Sequence, residues 1–443
     1  MVSAAVPLYQ LGLIEATTSI AQGRLSAADY LESCIARTLA VAPSVKPFAY
    51  FDASAVRAAK ASPGPLAGMP IGFKDIMATR GIPTEMGSAA FEGHVPAQSA
   101  WVVDALQGAG ALVFGKTVTT EFAWRHPGKT HNPWSLAHTP GGSSSGSAAA
   151  VACGCVPAAL GTQTVGSVLR PAAYCGVVGY KPSFGITPRT GIHAFSPSLD
   201  HVGVFARCVA DAAWLASFMT GRDGIDFWGT PAPTPAWPLA QSGPAPRIAL
   251  LRSTVWQRIS PEQQQLVEST AQRLVACGAS VTSVELPPSL EALWACVDTL
   301  VDVEGGASNA ALADAMPQRI SPVSLALVER GRKVLAADYF AARQLQQALI
   351  RAFAAWLAPF DVALMAPALG EAPVGLANTG DASLCALASL VGAPAIALPA
   401  GISGNQLPLG IQLVGRWGND RGLLEAAIWV EQQLAYRSGF PLP

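Results

Sequence analysis

The sequence is poor in charge and has no long run of charge of one sign. Only 13% of its 443 residues are charged, and 28 basic against 29 acidic residues leave a net charge of −1 and an isoelectric point near 6.6. Proteins that bind nucleic acid or anionic lipid by charge carry basic patches or stripes. The sequence therefore predicts no nucleic-acid partner and no electrostatic attachment to a membrane.

Paired cysteines are also missing. The eight cysteines lie without CxxC spacing at positions 34, 153, 155, 175, 208, 277, 296 and 385. In a chain of this size, such cysteines are typical of buried free thiols rather than of disulfides or zinc ligands. Residues 1–10 lack the basic start, apolar stretch and cleavage site of a secretory signal. We therefore expect free thiols and a cytoplasmic location.

A third absence is a long uninterrupted apolar span. Hydrophobic residues make up 51% of the chain and its mean hydropathy is +0.34, which raises the question of a membrane segment. The best candidate, Ala382 to Ile402, is broken by Gly392, Pro394, Pro399 and Gly401. A helix exposed to lipid could not satisfy its backbone through those breaks. The segment instead predicts a buried helix, a turn and a buried strand, with no membrane partner.

What the sequence does contain is an alternation of short apolar strands with helices. Ser26 and Asp29 form a start that resembles a capping box and precedes apolar residues at helical spacing, including Tyr30 and Leu39. Further elements are predicted as a buried helix or helix and strand at 148–160, helices at 261–277 and 336–357, strands at 111–114, 203–205, 247–251, 279–286 and 361–366, and a proline-rich surface loop at 231–246. This alternation predicts an α/β fold with a largely parallel or mixed buried sheet.

The first segment that points to chemistry is Gly68 to Asp75, where Lys74 ends an apolar run bracketed by glycines. A lysine in such a place usually reaches solvent. If it is buried instead, desolvation disfavours the ammonium form and lowers its pKa. Lys74 is then a candidate base near neutral pH.

The second segment is the glycine- and serine-rich stretch from Pro140 to Ser147. Its composition is that of a flexible linker, but it is short and leads directly into the small apolar residues of 148–160. A polar loop that enters the core in this way offers backbone N–H groups and hydroxyls to a substrate. We interpret it as a functional loop.

The third segment runs from Gly161 to Ala172. Gly166, directly before Ser167, permits close approach of the backbone, and the N–H groups of Thr164 to Ser167 are expected to form a nest for an oxyanion. Arg170 cannot lose its proton and needs a partner if it is buried. Its expected role is to hold this loop.

A competing mechanism starts from Gly142 to Gly146, which matches the G-x-S-x-G nucleophile elbow. After Ser144 the first acidic residue is Asp200, and the one histidine that follows is its neighbour His201. Adjacent residues cannot readily make the bond that orients a catalytic imidazole, so this hypothesis fails. A serine nucleophile without histidine needs another base, and lysine is the established substitute.

Taken together, these segments resemble the amidase signature family. The matching stretches are 73–75, 81–84, 110–117, 120–123, 132–134, the Gly-Gly-Ser-Ser block at 141–144, 179–183 and 209–213, and near the end 392–401 and 407–412. The resemblance implies one large α/β domain whose central twisted mixed sheet is covered by helices on both faces. Within it we expect an N-terminal helical segment (1–60), a catalytic core (61–220), a variable insert that shapes the pocket (221–360) and a C-terminal part that completes the sheet (361–443).

The resemblance also implies a role for each matching site residue. Ser167 is the nucleophile that forms an acyl-enzyme, Ser143 is a bridging serine held in a cis peptide, and Lys74 is the base that draws a proton through Ser143. The backbone N–H groups of Thr164, Val165, Gly166 and Ser167 form the oxyanion hole. The implied activity is hydrolysis of a small or medium carboxamide, without metal or cofactor.

Two positions depart from the family pattern. Where an aspartate and a glycine are usual, this chain has Gln163 and Val165. Gln163 removes a carboxylate that could pair with Arg170, so another acid or a carbonyl must take its place. Val165 adds a β-branched side chain that limits backbone freedom.

Other functions and contacts stay open at this point. The family also includes the glutaminase subunit of tRNA-dependent amidotransferases, and a non-catalytic binding protein is a further alternative. His126 and His131 lie in a Gly/Pro loop without a nearby acidic pair, so they predict no metal site. Candidate substrate contacts are Gly141, Gly142, Trp124 and His126, with Trp294 and Glu304 as further candidates for the lining. An apolar-rich chain of low charge also leaves room for a homodimer face.

Overall fold

The computed structural model describes residues 6–229, 242–253 and 255–441. These residues build one eleven-stranded mixed sheet with the order β1-β3-β2-β4-β6-β5-β10-β11-β9-β7-β8. The strands are β1 (Phe48–Tyr50), β2 (Pro70–Lys74), β3 (Leu112–Thr117), β4 (Ala158–Gln163), β5 (Val178–Lys181), β6 (His201–Ala206), β7 (Arg247–Arg252), β8 (Ser280–Glu285), β9 (Val362–Met365), β10 (Ala395–Ile402) and β11 (Pro408–Val414). A single large α/β domain with a mixed sheet is thereby confirmed.

Thirteen α-helices accompany these strands in the described part of the chain. They are α1 (Leu13–Ala21), α2 (Ala27–Val45), α3 (Ala53–Ala58), α4 (Trp101–Gly108), α5 (Ser145–Ala152), α6 (Leu169–Cys175), α7 (Val209–Ser217), α8 (Pro261–Ala276), α9 (Leu293–Ala315), α10 (Pro322–Lys333), α11 (Ala336–Leu357), α12 (Ser383–Leu390) and α13 (Asp420–Leu434). Every residue of β2, β4, β5 and β6 is buried. Because side chains alternate between the two faces of a sheet, such burial requires cover on both faces.

The elements expected from the sequence appear within a few residues of their predicted limits. Ser26 caps α2 by accepting a hydrogen bond from the backbone N–H of Asp29, and α11 has the predicted bounds. The stretch 148–160 resolves into the end of α5 and the start of β4. Within α2, Tyr30 is fully buried, whereas Leu39 is 54% exposed although it follows the same helical spacing.

The segment from Ala382 to Ile402 forms α12, a turn and β10. All eight residues of α12 except its first are buried, as is the start of β10, so this apolar stretch belongs to the core. In the residues that the structure describes, no helix combines the length and the apolar character needed to cross a membrane.

The proline-rich loop predicted at 231–246 falls mostly on residues 230–241, outside the described part of the chain. The cysteines carry no disulfide, and six of the eight are buried, whereas Cys208 is half-buried and Cys277 is exposed. The finer subdivision of the chain into four parts stays a prediction.

A buried carboxylate joins the first half of the chain to the later helices. Glu121 is only 3% exposed, and it accepts hydrogen bonds from the Ser88 hydroxyl at 2.9 Å and the Ser324 hydroxyl at 2.7 Å. Ser321, the residue that caps the start of α10, donates both its hydroxyl and its backbone N–H to the same carboxylate. One side chain therefore positions α10 relative to residues 88–121.

Candidate active site

The site lies where parallel strands end at one edge of the sheet. β2 runs parallel to both β3 and β4, with Phe73 beside Leu160. The last residue of β2, Lys74, therefore comes next to Thr162 near the end of β4. In open α/β sheets the carboxyl ends of strands are where ligand sites form.

Lys74 is fully buried and makes two short hydrogen bonds. Its Nζ lies 2.7 Å from Ser143 Oγ and 2.8 Å from Thr162 Oγ1. Burial lowers the pKa of Lys74 to about 7, and the carboxylate of Asp200 opposes part of that effect. Lys74 is thus held in the neutral form over the upper part of the physiological pH range, where its nitrogen can accept a proton.

The serine-rich loop gives each of its serines a different partner. The peptide bond between Gly142 and Ser143 is cis, as the resemblance implied, and Ser143 is the serine that faces Lys74. Ser144 donates to the carbonyl of Thr162 at 3.1 Å and accepts from its N–H at 3.2 Å, whereas Ser145 donates to the carbonyl of Val118. Ser144 and Ser145 therefore hold the loop in place.

The nucleophile-elbow alternative finds no support in this geometry. Ser144 is fully buried in its bonds to the Thr162 backbone. The Asp200 carboxylate accepts from Thr164 at 2.5 Å, and the His201 ring contacts the Leu199 carbonyl at 2.6 Å. The adjacent acid and histidine each bond elsewhere, so the side-chain pair that a triad requires is absent here.

The loop that carries Ser167 is shaped by Gln163. Its side-chain oxygen accepts from the backbone N–H groups of Val168 at 2.9 Å and Leu169 at 3.1 Å, at the start of α6. Its amide nitrogen donates to the Ser389 hydroxyl at 3.0 Å, and Ser389 in turn donates to the Val165 carbonyl at 2.8 Å. The neutral side-chain amide of Gln163 thus binds both the start of α6 and Ser389, because its oxygen accepts and its nitrogen donates.

Four consecutive backbone N–H groups in this loop have no acceptor within the described part of the chain. Among the residues that the structure describes, none accepts a hydrogen bond from the N–H of Thr164, Val165, Gly166 or Ser167. Buried backbone donors are nearly always paired in folded proteins. Unpaired neighbouring donors at the wall of a cleft are therefore suited to bind an anion or a polarised oxygen.

The residues at positions 165 and 166 both fit the backbone of this loop. A Cβ atom at Gly166 would lie 3.0 Å from Ala382 Cβ and 3.2 Å from Cys385 Cβ, so the close approach expected of this glycine is confirmed. Val165 does not have a positive φ angle, the conformation that favours glycine. Its β-branched side chain is therefore compatible with the loop.

Arg170 has neutral partners only. It is 5% exposed, and its Nη2 donates to the carbonyl of Gly142 at 2.7 Å and to the Thr379 hydroxyl at 3.3 Å. We expected another acid or a carbonyl to bind Arg170 in place of the carboxylate that is missing at position 163. The Gly142 carbonyl does so. This bond ties α6 to the peptide that precedes Ser143.

A cleft of about 600 Å³ opens above these groups, and both Ser143 and Ser167 line it. Trp124 and Phe195 stack in its wall with ring centroids 5.2 Å apart. Other lining side chains are Trp294, Val297 and Val301 of α9, Val323 and Ala386, and the charged residues Arg125, Arg170, Asp298 and Asp381. The cleft thus has a polar floor and a largely apolar wall.

The predicted substrate contacts are only partly in this cleft. Trp124 and Trp294 line it, whereas His126 does not. His126 is an exposed residue, and its backbone carbonyl accepts a hydrogen bond from the Glu121 N–H. Glu304 also lies outside the lining, because it is buried in hydrogen bonds to Ser196 and Tyr339. Gly141 and Gly142 lie behind the cleft rather than in its lining.

Sequence reasoning missed several residues that the fold brings to the site. Thr162 is the second partner of Lys74, and Asp200 acts on the Lys74 pKa through its charge. Thr379 comes from the loop before α12, and the apolar wall comes from α9. None of these residues forms a motif. Only Thr162 could have been noticed from the sequence, because it lies in the same segment as Ser167, Gly161 to Ala172. Within the described residues, no group of three or more histidine, cysteine or acidic side chains is placed to hold a metal ion.

Comparison with known proteins gives consistent likenesses over the whole molecule. The sequence matches the family model for amidases over residues 29–424. It is 32% identical over 467 aligned positions to one subunit of the glutamyl-tRNA(Gln) amidotransferase from Roseiflexus castenholzii, an alignment that covers 94% of each chain. Among solved structures, 6-aminohexanoate cyclic dimer hydrolase superposes with a TM-score of 0.87 at 27% identity, covering 98% of this chain and 99% of that one. Native peptide amidase from Stenotrophomonas maltophilia superposes with a TM-score of 0.85 at 28% identity, with the same coverage.

Proposed function

This chain belongs to the amidase family of enzymes that hydrolyse amide C–N bonds, and we propose that it cleaves a small or medium carboxamide through an acyl-enzyme on Ser167. The products are an acid and an amine or ammonia. One observation carries the proposal: the buried Lys74 Nζ lies 2.7 Å from Ser143 Oγ, in a cleft that Ser167 also lines.

In the first step, Ser167 Oγ attacks the amide carbonyl. Its proton passes to Ser143 Oγ while the proton of Ser143 passes to the neutral Nζ of Lys74. The four unpaired N–H groups of residues 164–167 support this step, because they are available for the negative charge that develops on the carbonyl oxygen. A lysine pKa near 7 matches the needs of a base that operates around neutral pH.

In the second step, the C–N bond breaks and Ser143 returns the proton to the leaving nitrogen, while Lys74 reprotonates Ser143. Water then attacks the acyl group on Ser167, and the same relay takes its proton. The acid leaves and all three side chains regain their starting state. As the ester bond breaks, the relay returns the proton of the attacking water to Ser167 Oγ. Each half of the cycle therefore takes one proton and returns it within that half, first to the leaving nitrogen and then to Ser167.

The most direct test replaces Ser167 with alanine. We expect Ser167→Ala to abolish turnover of carboxamides, and a serine-directed fluorophosphonate to label the wild type at Ser167 and to leave the variant unlabelled. Ser269→Ala serves as the control, because Ser269 is exposed on α8 and donates to the Leu266 carbonyl, so this variant should keep both labelling and turnover. Turnover that survives in Ser167→Ala, or an adduct that maps to another residue, contradicts the proposal.

A second candidate function is the glutaminase-type subunit of a tRNA-dependent amidotransferase complex. The relatives that are named as subunits of glutamyl-tRNA(Gln) amidotransferase support it, since 94% of this chain aligns with one of them. It predicts copurification of a stoichiometric partner and L-glutamine as the only good substrate. Turnover of simple amides by the purified chain alone favours the first candidate. A homodimer and a cytoplasmic location also stay predictions.

A further inference from the structure

A second pocket lies beside the active-site cleft. Its volume is about 240 Å³, and it shares Ala123, Thr164 and Phe195 with the lining of the cleft. Most of its other lining residues come from the stretches 189–202 and 225–228. The three side chains of the proposed relay do not line it, so the proposed reaction does not use this second pocket.

The walls of the second pocket are mainly apolar and include several aromatic rings. The apolar side chains in its lining include Ile76, Ile192, Phe195, Val202, Phe227 and Trp228. The rings of Phe227 and Trp228 meet edge to face, with centroids 5.7 Å apart. A cavity of about 150 Å³ with such walls is enough to bind benzene. The second pocket therefore has room for one substituted aromatic ring, and its own rings offer favourable contacts to it.

The charged side chains of the second pocket already have partners. Arg189 Nε and Nη2 donate to the Asp226 carboxylate at 2.9 and 3.0 Å. Asp200 accepts from the Thr164 hydroxyl at 2.5 Å and from two backbone N–H groups at 2.8 Å each. A charged ligand would have to displace one of these partners or would stay unpaired away from water, and both are costly. The second pocket is therefore suited to a neutral molecule.

The imidazole of His193 also lines the second pocket. It is half-buried, and within the described residues neither of its ring nitrogens has a hydrogen-bond partner. Burial and the nearby charge of Lys74 lower the pKa of His193 to about 4, so the ring is neutral at pH 7. A neutral imidazole has one donor and one acceptor nitrogen. A hydroxyl group can accept from the first or donate to the second, so it can bond to either tautomer of this ring.

We propose that the second pocket binds a neutral aromatic molecule with a hydroxyl group, such as a phenol, and that His193 bonds to this hydroxyl. The inference goes beyond the proposed function and does not depend on it. The ring of the ligand lies against the apolar walls, while its hydroxyl reaches the one imidazole that the described residues leave without a hydrogen bond. A phenol ionises only near pH 10, so it enters the pocket without charge at pH 7.

The first test measures the binding of two molecules of equal shape by titration calorimetry. p-Cresol carries a hydroxyl group, and p-xylene carries a methyl group in its place. We expect p-cresol to bind the wild type with a Kd of about 1 mM or tighter. It should bind about 2- to 13-fold more tightly than p-xylene, the range of one net hydrogen bond. Absence of p-cresol binding, or p-xylene binding that is equal or tighter, overturns the inference.

The partner of the hydroxyl is tested by His193→Phe. Phenylalanine keeps a flat ring beside Phe122, whose ring centroid lies 5.6 Å from that of His193, but it has no nitrogen. This variant should bind p-cresol no more tightly than p-xylene, and its Kd for p-xylene should stay close to that of the wild type. The matched control is His94→Phe, because His94 is exposed and packs edge to face on Phe91 outside the pocket. It should keep the preference for p-cresol, and a preference that survives in His193→Phe overturns the inference.

The location is tested by a matched pair of substitutions at exposed alanines. Ala194 lines the second pocket and Ala377 lines the cleft. Ala194→Trp should abolish p-cresol binding, because the indole takes up space in the second pocket, whereas Ala377→Trp should leave the Kd of p-cresol unchanged. Loss of binding only in Ala377→Trp, or in neither variant, overturns the inference.

A further measurement separates this inference from the proposed function. Saturating p-cresol should leave the rate of fluorophosphonate labelling at Ser167 unchanged, because the second pocket does not contain that serine. Protection of Ser167 in proportion to p-cresol occupancy would place the ligand in the cleft and overturns the inference. Failure of labelling without p-cresol contradicts the proposed function instead, and the calorimetric results for p-cresol then still decide the inference.

Discussion

Basic side chains in residues 61–220 and in residues 247–360 meet very different surroundings. Lys74, Lys116 and Lys181 in the first region have no exposed surface, and burial lowers their pKa values to about 7, 8 and 7. In the second region the side chains of Arg252, Arg330 and Arg332 are 43%, 47% and 51% exposed, and each forms an ion pair with an acidic side chain.

This difference separates basic side chains whose pKa is lowered by burial from basic side chains that stay solvated. A buried lysine near its pKa can exchange a proton at neutral pH, at the cost of its desolvation. A surface ion pair stays fully charged and contributes little to stability, because water already stabilises both partners. The first region therefore holds the groups that can exchange protons at neutral pH. The charged side chains of α8 to α11 are instead solvated at the surface of the protein.

The strongest test of this comparison replaces two buried lysines of the first region in turn, Lys74 in the candidate site and Lys181 outside it. Lys74→Met should lower kcat by roughly 10²- to 10⁴-fold, the usual contribution of a general base. Lys181 is equally buried but donates to the carbonyls of Pro182 and Ala393, so Lys181→Met should cost stability rather than kcat. Kinetics at saturating substrate measure both. Equal losses of kcat would mean that burial, and not position, sets the effect.

The buried carboxylate that links the two regions should dominate their mutual stability. Glu121→Gln places an amide against hydroxyl and N–H donors from Ser88, Ser321 and Ser324, and we expect a loss of about 2–3 kcal/mol in the free energy of unfolding. The midpoint of urea unfolding measures it. Glu268→Gln, which breaks a solvated pair with Arg252, should cost less than about 1 kcal/mol. If the two losses are similar, the contrast between the regions does not hold.

The pH profile sharpens the comparison within the first region. Because the base must be neutral, kcat/KM should fall as pH drops below about 7, the pKa of Lys74. The charge of Asp200 raises that pKa, so Asp200→Asn should move the acid limb of the profile to lower pH. Asp302→Asn, on α9, should leave the limb in place. A limb that stays fixed or moves to higher pH in Asp200→Asn argues against Lys74 as the base.

The smallest effect is expected in the second region. Arg332→Gln removes a pair with Asp314 whose side chains are 51% and 63% exposed, and we expect the midpoint of urea unfolding to stay where it is in the wild type. Any difference between the two midpoints should be smaller at high salt, because exposed charges are screened. A midpoint that falls as far as that of Glu121→Gln would show that this pair is not simply solvated.

Much of the fold could be predicted because local patterns and local structure agree. The helix at 336–357 follows from its periodicity, and Ser26 marks the start of α2 by its capping bond. The burial of 382–402 followed from its glycines and prolines, which exclude a membrane helix. Leu39 is exposed although it has helical spacing, because this spacing alone does not say how wide the buried face of a helix is.

The candidate site was predictable where its residues lie in dense motifs, and not where they come from far along the chain. Lys74, Ser143 and Ser167 sit in glycine- and serine-rich segments that can be recognised. Thr379 and the apolar wall of α9 are brought in by the order of the sheet, which no local pattern encodes. Asp200 was noticed only as a failed triad member, because its effect on Lys74 is electrostatic and acts without contact.

The carboxylate of Glu121 also limits how this chain can be recombined with its relatives. Since Ser88, Ser321 and Ser324 all donate to it, a chimera that exchanges α9 to α11 must carry compatible donors at the start of α10. A graft that lacks them leaves the buried Glu121 side chain without these hydrogen-bond donors. Engineers who seek a new pocket wall on α9 should therefore end the grafted segment before Ser321, so that Ser321 and Ser324 stay with the parent sequence.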